Sequence, residues 1–294
     1  MNSSFFAAHK LTWLLPALLP LVAAAQQPWF FVVMSDPQFG MYAKDRNFKQ
    51  ETANFEFAIA NVNRLHPQFV VICGDLVNKP GDQAEVAEYK RILKELSPSI
   101  PAYSVAGNHD VGNQPTPQSV DAFRTNIGRD YYSFSSGNML GIVLDSNLIR
   151  APEHAPEAAK QQLEWLRKTL ADAKASGAQN VVVFQHIPFF IHDPNEADDY
   201  FNIPRATRRE YLDLLEKSGV HYVFAGHYHR NAGGMDGTLT EVVTGAVGMP
   251  LGGSVSGFRA VVVRGNVLDS AWFCLGGIPN LLDPGTRPIT PCHE

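Results

Sequence analysis

The sequence predicts an α/β protein in four layers, with two β-sheets face to face and helices covering the outside of both. Three observations predict it. Short apolar runs rich in β-branched and aromatic residues alternate with helical patterns between residues 30 and 225, as in successive β-α-β units. Closely spaced runs near 220–225, 239–244, 258–264 and 267–274 then suggest a second, largely antiparallel sheet. Finally, of 294 residues 45% are apolar and 18% charged, which is enough to bury a large core and is unlike a disordered chain.

In chain order, residues 1–25 read as a removable signal peptide. Lys10 supplies a positive start, residues 11–22 an apolar stretch, and Ala23-Ala24-Ala25 small residues before a cleavage point at Gln26. About 20 apolar residues are needed to span a bilayer, and Pro16 and Pro20 interrupt this shorter stretch, so export is expected over a retained anchor. The destination is periplasmic or extracellular. Residues 26–294 are then expected to form one domain. A strand at 30–34 leads to an amphipathic helix at 51–65, where Phe55, Ala58, Ile59, Val62 and Leu65 share one face. A strand at 69–73, a helix at 83–96, a strand at 102–105 and a helix at 118–126 follow. Residues 131–135 and 139–144 read as a hairpin. A long helix at 158–175 places Leu163, Leu166, Leu170 and Ala173 on one stripe, and a strand at 181–184 comes next. Residues 187–204 show no period yet carry Phe189, Phe190, Tyr200 and Phe201. Irregular segments of this length are often functional, so a lid or substrate wall is expected beside the plainer reading of a surface loop. A helix at 205–217 leads into the last strands.

Five polar clusters each follow directly on an apolar strand: Asp36-Pro37-Gln38, Gly74-Asp75, Gly107-Asn108-His109-Asp110, Gln185-His186 and Gly226-His227-Tyr228-His229. If the strands lie side by side and run parallel, their carboxyl ends gather in one crevice. Asp36, Gln38, Asp75, Asn108, His186, His227 and His229 then surround a shared point with oxygen and nitrogen ligands. Taken singly, a Gly-Asp pair is a common turn, His186 could be a core histidine, and the other clusters could be Asx turns or solvated loops. Together, in this order, they point to metal. Two divalent ions in one site repel and need a carboxylate between them, for which Asp75 is the candidate. Asp36, Gln38 and His229 would complete one shell, and Asn108, His186 and His227 the other. With a bridging hydroxide added, the site keeps a surplus positive charge that favours a phosphate. His109 is expected to protonate the leaving alkoxide, with Asp110 accepting from its ring. Asn78 and Tyr228 could assist. His9, His66, His154, His192, His221 and His293 lack such a setting.

Net charge is −5, and −6 without the leader, whose only charged side chain is Lys10. No basic stripe is present, so a nucleic-acid backbone is not expected as a partner. Of three cysteines, Cys73 sits in a predicted buried strand, while Cys274 and Cys292 flank a Gly- and Pro-rich tail that a disulfide between them would staple.

The clusters resemble the motifs of the calcineurin-like metallophosphoesterase superfamily: Asp-x-His, Gly-Asp, Gly-Asn-His-Asp/Glu, a lone His, and Gly-His-x-His. Gln38 replaces the first histidine, as in the subgroup of calcineurin-like phosphoesterase domain proteins described as serine/threonine phosphatases. The resemblance implies an αββα sandwich, two metal ions (manganese, iron, zinc or magnesium) and hydrolysis of a phosphoester in a small molecule or phosphoprotein. It implies the ligand set named above, with Asn108 and His109 also touching substrate. The arginine that grips phosphate in the best-known protein phosphatases is absent after Asp75, where Leu76-Val77-Asn78-Lys79 stands. Arg230, just after the last ligand, is the replacement to consider, against a solvated side chain. A phosphomonoesterase is the expected activity. A phosphodiesterase or nucleotidase with the same centre, and a metal-stabilised binding module without turnover, are the alternatives.

Overall fold

The structure is a computed structural model that describes Met1 and residues 27–286. The remainder of the expected leader, and Cys292, lie outside the described residues. The chain runs β1 (Trp29–Met34), α1 (Lys49–Leu65), β2 (Val70–Ile72), α2 (Gln83–Leu93), β3 (Ala102–Ser104), α3 (Asn108–Val111) and α4 (Pro117–Asn126). It continues through the hairpin β4 (Tyr132–Ser136) and β5 (Met139–Val143), then α5 (Ser146–Arg150), α6 (Pro156–Ser176), β6 (Asn180–Phe184) and α7 (Arg205–Lys217). It ends with β7 (Val220–Ala225), β8 (Ala232–Asp236), β9 (Leu239–Val243), β10 (Gly257–Arg264) and β11 (Val267–Cys274).

Two mixed sheets result, in the orders β11-β10-β1-β2-β3 and β4-β5-β6-β7-β9-β8. In the first, β1, β2 and β3 are parallel and β10 joins β1 antiparallel. In the second, β5, β6, β7 and β9 are parallel, with β4 and β8 antiparallel at the edges. The late strands therefore do not form an antiparallel sheet of their own. β7 and β9 extend the parallel set, and β10 and β11 close the far side of β1. The five clusters likewise follow strands of two sheets, three from the first and two from the second.

Each face of β1 meets a different layer, which is why all six of its residues are buried. Phe30, Val32 and Met34 pack with Phe55, Ile59 and Val62 of α1. Phe31 and Val33 turn to the second sheet and meet Phe184 and Phe224. Phe31 stacks on Phe69 at 4.7 Å and stands edge-on to Phe184 at 5.9 Å and Phe224 at 5.8 Å, so Phe31→Ala would cost about 3–5 kcal/mol. On the other side, Leu166 and Leu170 of α6 and Leu212 and Leu215 of α7 cover Val183 and Val223. The predicted stripe of α6 is rotated slightly: Gln162 is fully buried where Leu163 is only partly so.

Residues 187–204 hold no helix or strand, yet they are organised from within. The Glu196 carboxylate accepts from the backbone of Ile191 (2.7 Å), His192 (3.0 Å) and Asp193 (3.2 Å) and from Asn202 (2.7 Å). Buried Arg208 donates to the carbonyls of Ile203, Pro194 and Glu196. Cys274 is disulfide-bonded, and Cys73 is free and buried. Among the described residues, no helix is long and apolar enough to cross a membrane.

Candidate metal centre

The ends of β1, β2, β6 and β7 are laced together by backbone bonds. Asp36 N–H donates to Gly74 (3.1 Å), Gln38 N–H to Asp75 (2.9 Å), and Gly226 N–H to His186 (2.9 Å). The glycines of the clusters permit the approach. A Cβ on Gly107 would collide with the Asp75 backbone, and one on Gly226 with Ser35 Oγ.

All seven expected ligand residues are buried. Asp75, His186 and His227 form one group whose ligand atoms lie within 4.8 Å of one another, and Asp36, Asp75 and His229 form a second. Asp75 belongs to both. Asn108 joins the first group, its Oδ1 lying 3.0 Å from His186 Nε2. The imidazoles are fixed from behind by carbonyls, which can only accept. His186 Nδ1 donates to Cys73 O (2.8 Å), His229 Nδ1 to Met249 O (2.5 Å) and His227 Nε2 to Tyr200 O (3.0 Å). The opposite nitrogen of each neutral ring is left with a lone pair for the centre.

Two observations fit a metal to these residues. Asp36 Oδ1 and Gln38 Oε1 are buried without a hydrogen-bond donor. Such an acceptor costs about 1–3 kcal/mol, which a bound cation offsets. In addition, Asp36, Gln38, Asp75, His227 and His229 all adopt left-handed backbone conformations, with φ of 52, 38, 48, 67 and 55°. Non-glycine residues take that region at a cost, and such positions cluster at functional sites.

The charges are strongly coupled. Burial alone would raise Asp75, but the imidazole of His186 above all, then His109 and His227, hold its carboxyl well below the usual carboxylate range. Burial opposes charge on His186, yet the Asp75 and Asp36 carboxylates and the Cys73 carbonyl lift it to about 9. His227 is pushed down to about 4 by burial and by its neighbour His186. His229 is lifted by Asp36 against the effect of burial.

His109 lies half-buried beside the groups, its backbone N–H on Asp75 Oδ1 at 2.8 Å. Its expected bond to Asp110 is not formed. His109 Nδ1 bonds instead to the Asn78 carbonyl (2.6 Å), while Asp110 accepts from the backbone N–H of Leu76 (3.0 Å), Val77 (3.2 Å) and Gly107 (2.7 Å). Asp110 thus clamps the Gly74-Asp75 loop to the start of α3. The two residues are consecutive on one helical turn, and such neighbours do not face each other. Burial first, then the charge of Asp75, pushes the Asp110 carboxyl up to about 8.

Arg230 is half-buried, with its guanidinium 4.4 Å from the Tyr228 ring centroid and Nη1 on the Tyr228 hydroxyl (3.2 Å). It lines a cavity of about 340 Å³ with Ile191, Phe201 and Tyr228. Arg230 therefore faces the irregular segment and is not simply solvated.

Sequence reasoning missed a sixth cluster, Asp145-Ser146-Asn147 after β5. Ser146 Oγ accepts from the backbone of His186 (3.2 Å) and Ile187 (2.8 Å), and Asn147 Nδ2 donates to the Ala106 carbonyl (3.3 Å). Its signal had the same form as the other five, polar residues directly after an apolar strand.

The family profile of calcineurin-like phosphoesterases matches residues 31–231. The chain is 37% identical over 264 residues to the serine/threonine-protein phosphatase CPPED1 of Homo sapiens, covering 84% of each chain. It is 38% identical over 254 residues to the protein of that name from Danio rerio, covering 81% of this chain and 82% of that one. Among solved structures it is similar to the purple acid phosphatase PPD1 of yellow lupin (Lupinus luteus), with a TM-score of 0.64 at 14% identity over 86% of this chain and 52% of that one. That likeness concerns the fold, an αββα sandwich.

Proposed function

The chain belongs to the calcineurin-like phosphoesterase family and is a hydrolase of phosphoester bonds, and from that premise we propose that it is an exported phosphomonoesterase working with two divalent ions. The observation that carries the reading is the pair of buried ligand groups that share Asp75. Ions bound there would polarise a phosphoryl oxygen and make hydroxide available near neutral pH.

The residues of the chain do the rest. Asp75 holds the two groups at one separation, with Asp36, Gln38 and His229 on one side and Asn108, His186 and His227 on the other. Only Asp36 and Asp75 are anionic, so the centre stays net positive and draws a phosphate dianion. His109 gives a proton to the departing oxygen from Nε2, because Nδ1 is committed to the Asn78 carbonyl. Asn108 and His109 line the substrate's approach, and Arg230 faces the portion beyond the phosphate. No thiolate is among the ligands, which suits manganese, iron, zinc or magnesium. Gln38 offers a neutral amide where an imidazole would bind more strongly, so the ion on its side is the more readily lost.

Elemental analysis of the purified protein, with a panel of paired mono- and diesters, tests this reading. Two ions per chain and a preference for monoesters are expected, and a strong preference for diesters would overturn it. The name of the relatives makes phosphoserine and phosphothreonine peptides the first monoesters to try. Export is supported by the composition of residues 1–25, and amino-terminal sequencing of fractionated protein tests it, with Gln26 expected first.

A further inference from the structure

The irregular segment 187–204 touches the metal-ligand side chains chiefly through Tyr200. Its main-chain carbonyl takes the Nε2–H of His227 at 3.0 Å, and its ring centroid lies 4.9 Å from that imidazole. Its phenol oxygen accepts from Asn108 Nδ2 at 3.2 Å. The residue is nonetheless 45% exposed, the pose of one that covers a site rather than fills a core. The Arg150 guanidinium carbon sits 5.6 Å from the centroid of the Tyr200 ring.

We propose that Tyr200 is a positioning residue for the Asp75, His186 and His227 half of the centre, and that through it the segment sets how tightly that half holds its ion. The inference rests on the two-ion reading above. Two candidate ligand side chains are held at Tyr200. A neutral imidazole has one N–H and one lone pair, so giving Nε2–H of His227 to the carbonyl leaves Nδ1 as the only ligand atom. Asn108 Nδ2 donates to the phenol oxygen, a bond that holds the carboxamide with Oδ1 toward His186, where it lies at 3.0 Å. Both effects fall on the same half. The opposite half is fixed elsewhere, by Met249 behind His229 and by Asn78 beside Gln38. The segment can play this part because Glu196, Asn202 and Arg208 hold its backbone on either side of Tyr200.

Tyr200→Phe isolates the phenol, since ring and carbonyl stay. Manganese and zinc affinities, measured by chelator competition on parent and variant, are the readout. The variant should bind one of its two ions about 10-fold or more weakly and the other within about twofold of the parent, as expected for loss of a partner behind a ligand. Activity lost at limiting manganese should return in excess manganese, and the Tm in chelator should match the parent. Equal weakening of both ions with a lowered Tm would mark a merely structural role and overturn the proposal. Unchanged affinity for both ions would overturn it as well. A parent protein that binds fewer than two ions would instead refute the two-ion reading itself.

Discussion

Replacing His109 by alanine separates the proposed proton donation from metal binding, because the proposed acid is the ring whereas Asp75 is anchored by the backbone N–H. The backbone N–H of His109 anchors Asp75 Oδ1 at 2.8 Å and survives the substitution, so both ligand groups should persist. The ring, held by Asn78 O at 2.6 Å, is lost with whatever proton it gives. Positioned acid catalysis is typically worth about 10² to 10⁴ in rate, or about 2.7–5.4 kcal/mol of barrier. That loss should appear in full only where the leaving oxygen needs a proton. With an alkyl phosphate, kcat should fall by about 10² to 10⁴. With nitrophenyl phosphate, whose leaving group departs unaided, it should fall by less than about 10-fold. Steady-state kinetics on both esters with metal content measured in parallel is the assay. Undiminished turnover of the alkyl ester, or equal losses on both, would refute the assignment of His109 as acid.

Three other outcomes are expected. Asp75→Asn should lower the content of both ions, because Asp75 belongs to both groups, whereas Asp36→Asn should lower only one; elemental analysis showing equal effects would contradict the shared ligand. Asp110→Ala leaves three backbone donors without an acceptor and should cost about 3 kcal/mol in urea unfolding, at about 1 kcal/mol for each bond. An unchanged midpoint would deny the clamp. Finally, His186 titrates at about 9 and must be neutral to bind metal, so an ion in its group competes with a proton. Affinity should therefore rise about tenfold per pH unit up to about 9 and level off above, and a flat profile from pH 6 to 9 by chelator competition would exclude that competition.

Much of this was legible in the sequence where the signal is local. The five clusters lie at strand ends as expected, and α1, α2, α4, α6 and α7 fall within a few residues of their predicted bounds. Sheet membership was not legible. Phe258 to Val263 reads as a buried run, but nothing in such a run says that its partner is β1 rather than its neighbours in sequence. β8 was missed because Ala232-Gly233-Gly234-Met235-Asp236 lacks β-branched residues and alternation, and pairing with β9 makes it a strand. The role of Asp110 was misread because adjacency along the chain suggested contact. The contribution of Tyr200 had no signal beyond aromatic enrichment, since it comes partly from a main-chain carbonyl.

The five left-handed candidate ligand positions set stability against the proposed turnover. At roughly 1 kcal/mol each they withhold on the order of 5 kcal/mol, comparable to the entire folding margin of a small protein. Glycine would relax any of them while deleting a ligand. A laboratory selection for heat resistance alone should therefore accumulate glycines at Asp36, Gln38, Asp75, His227 and His229, yielding hardier and inert descendants.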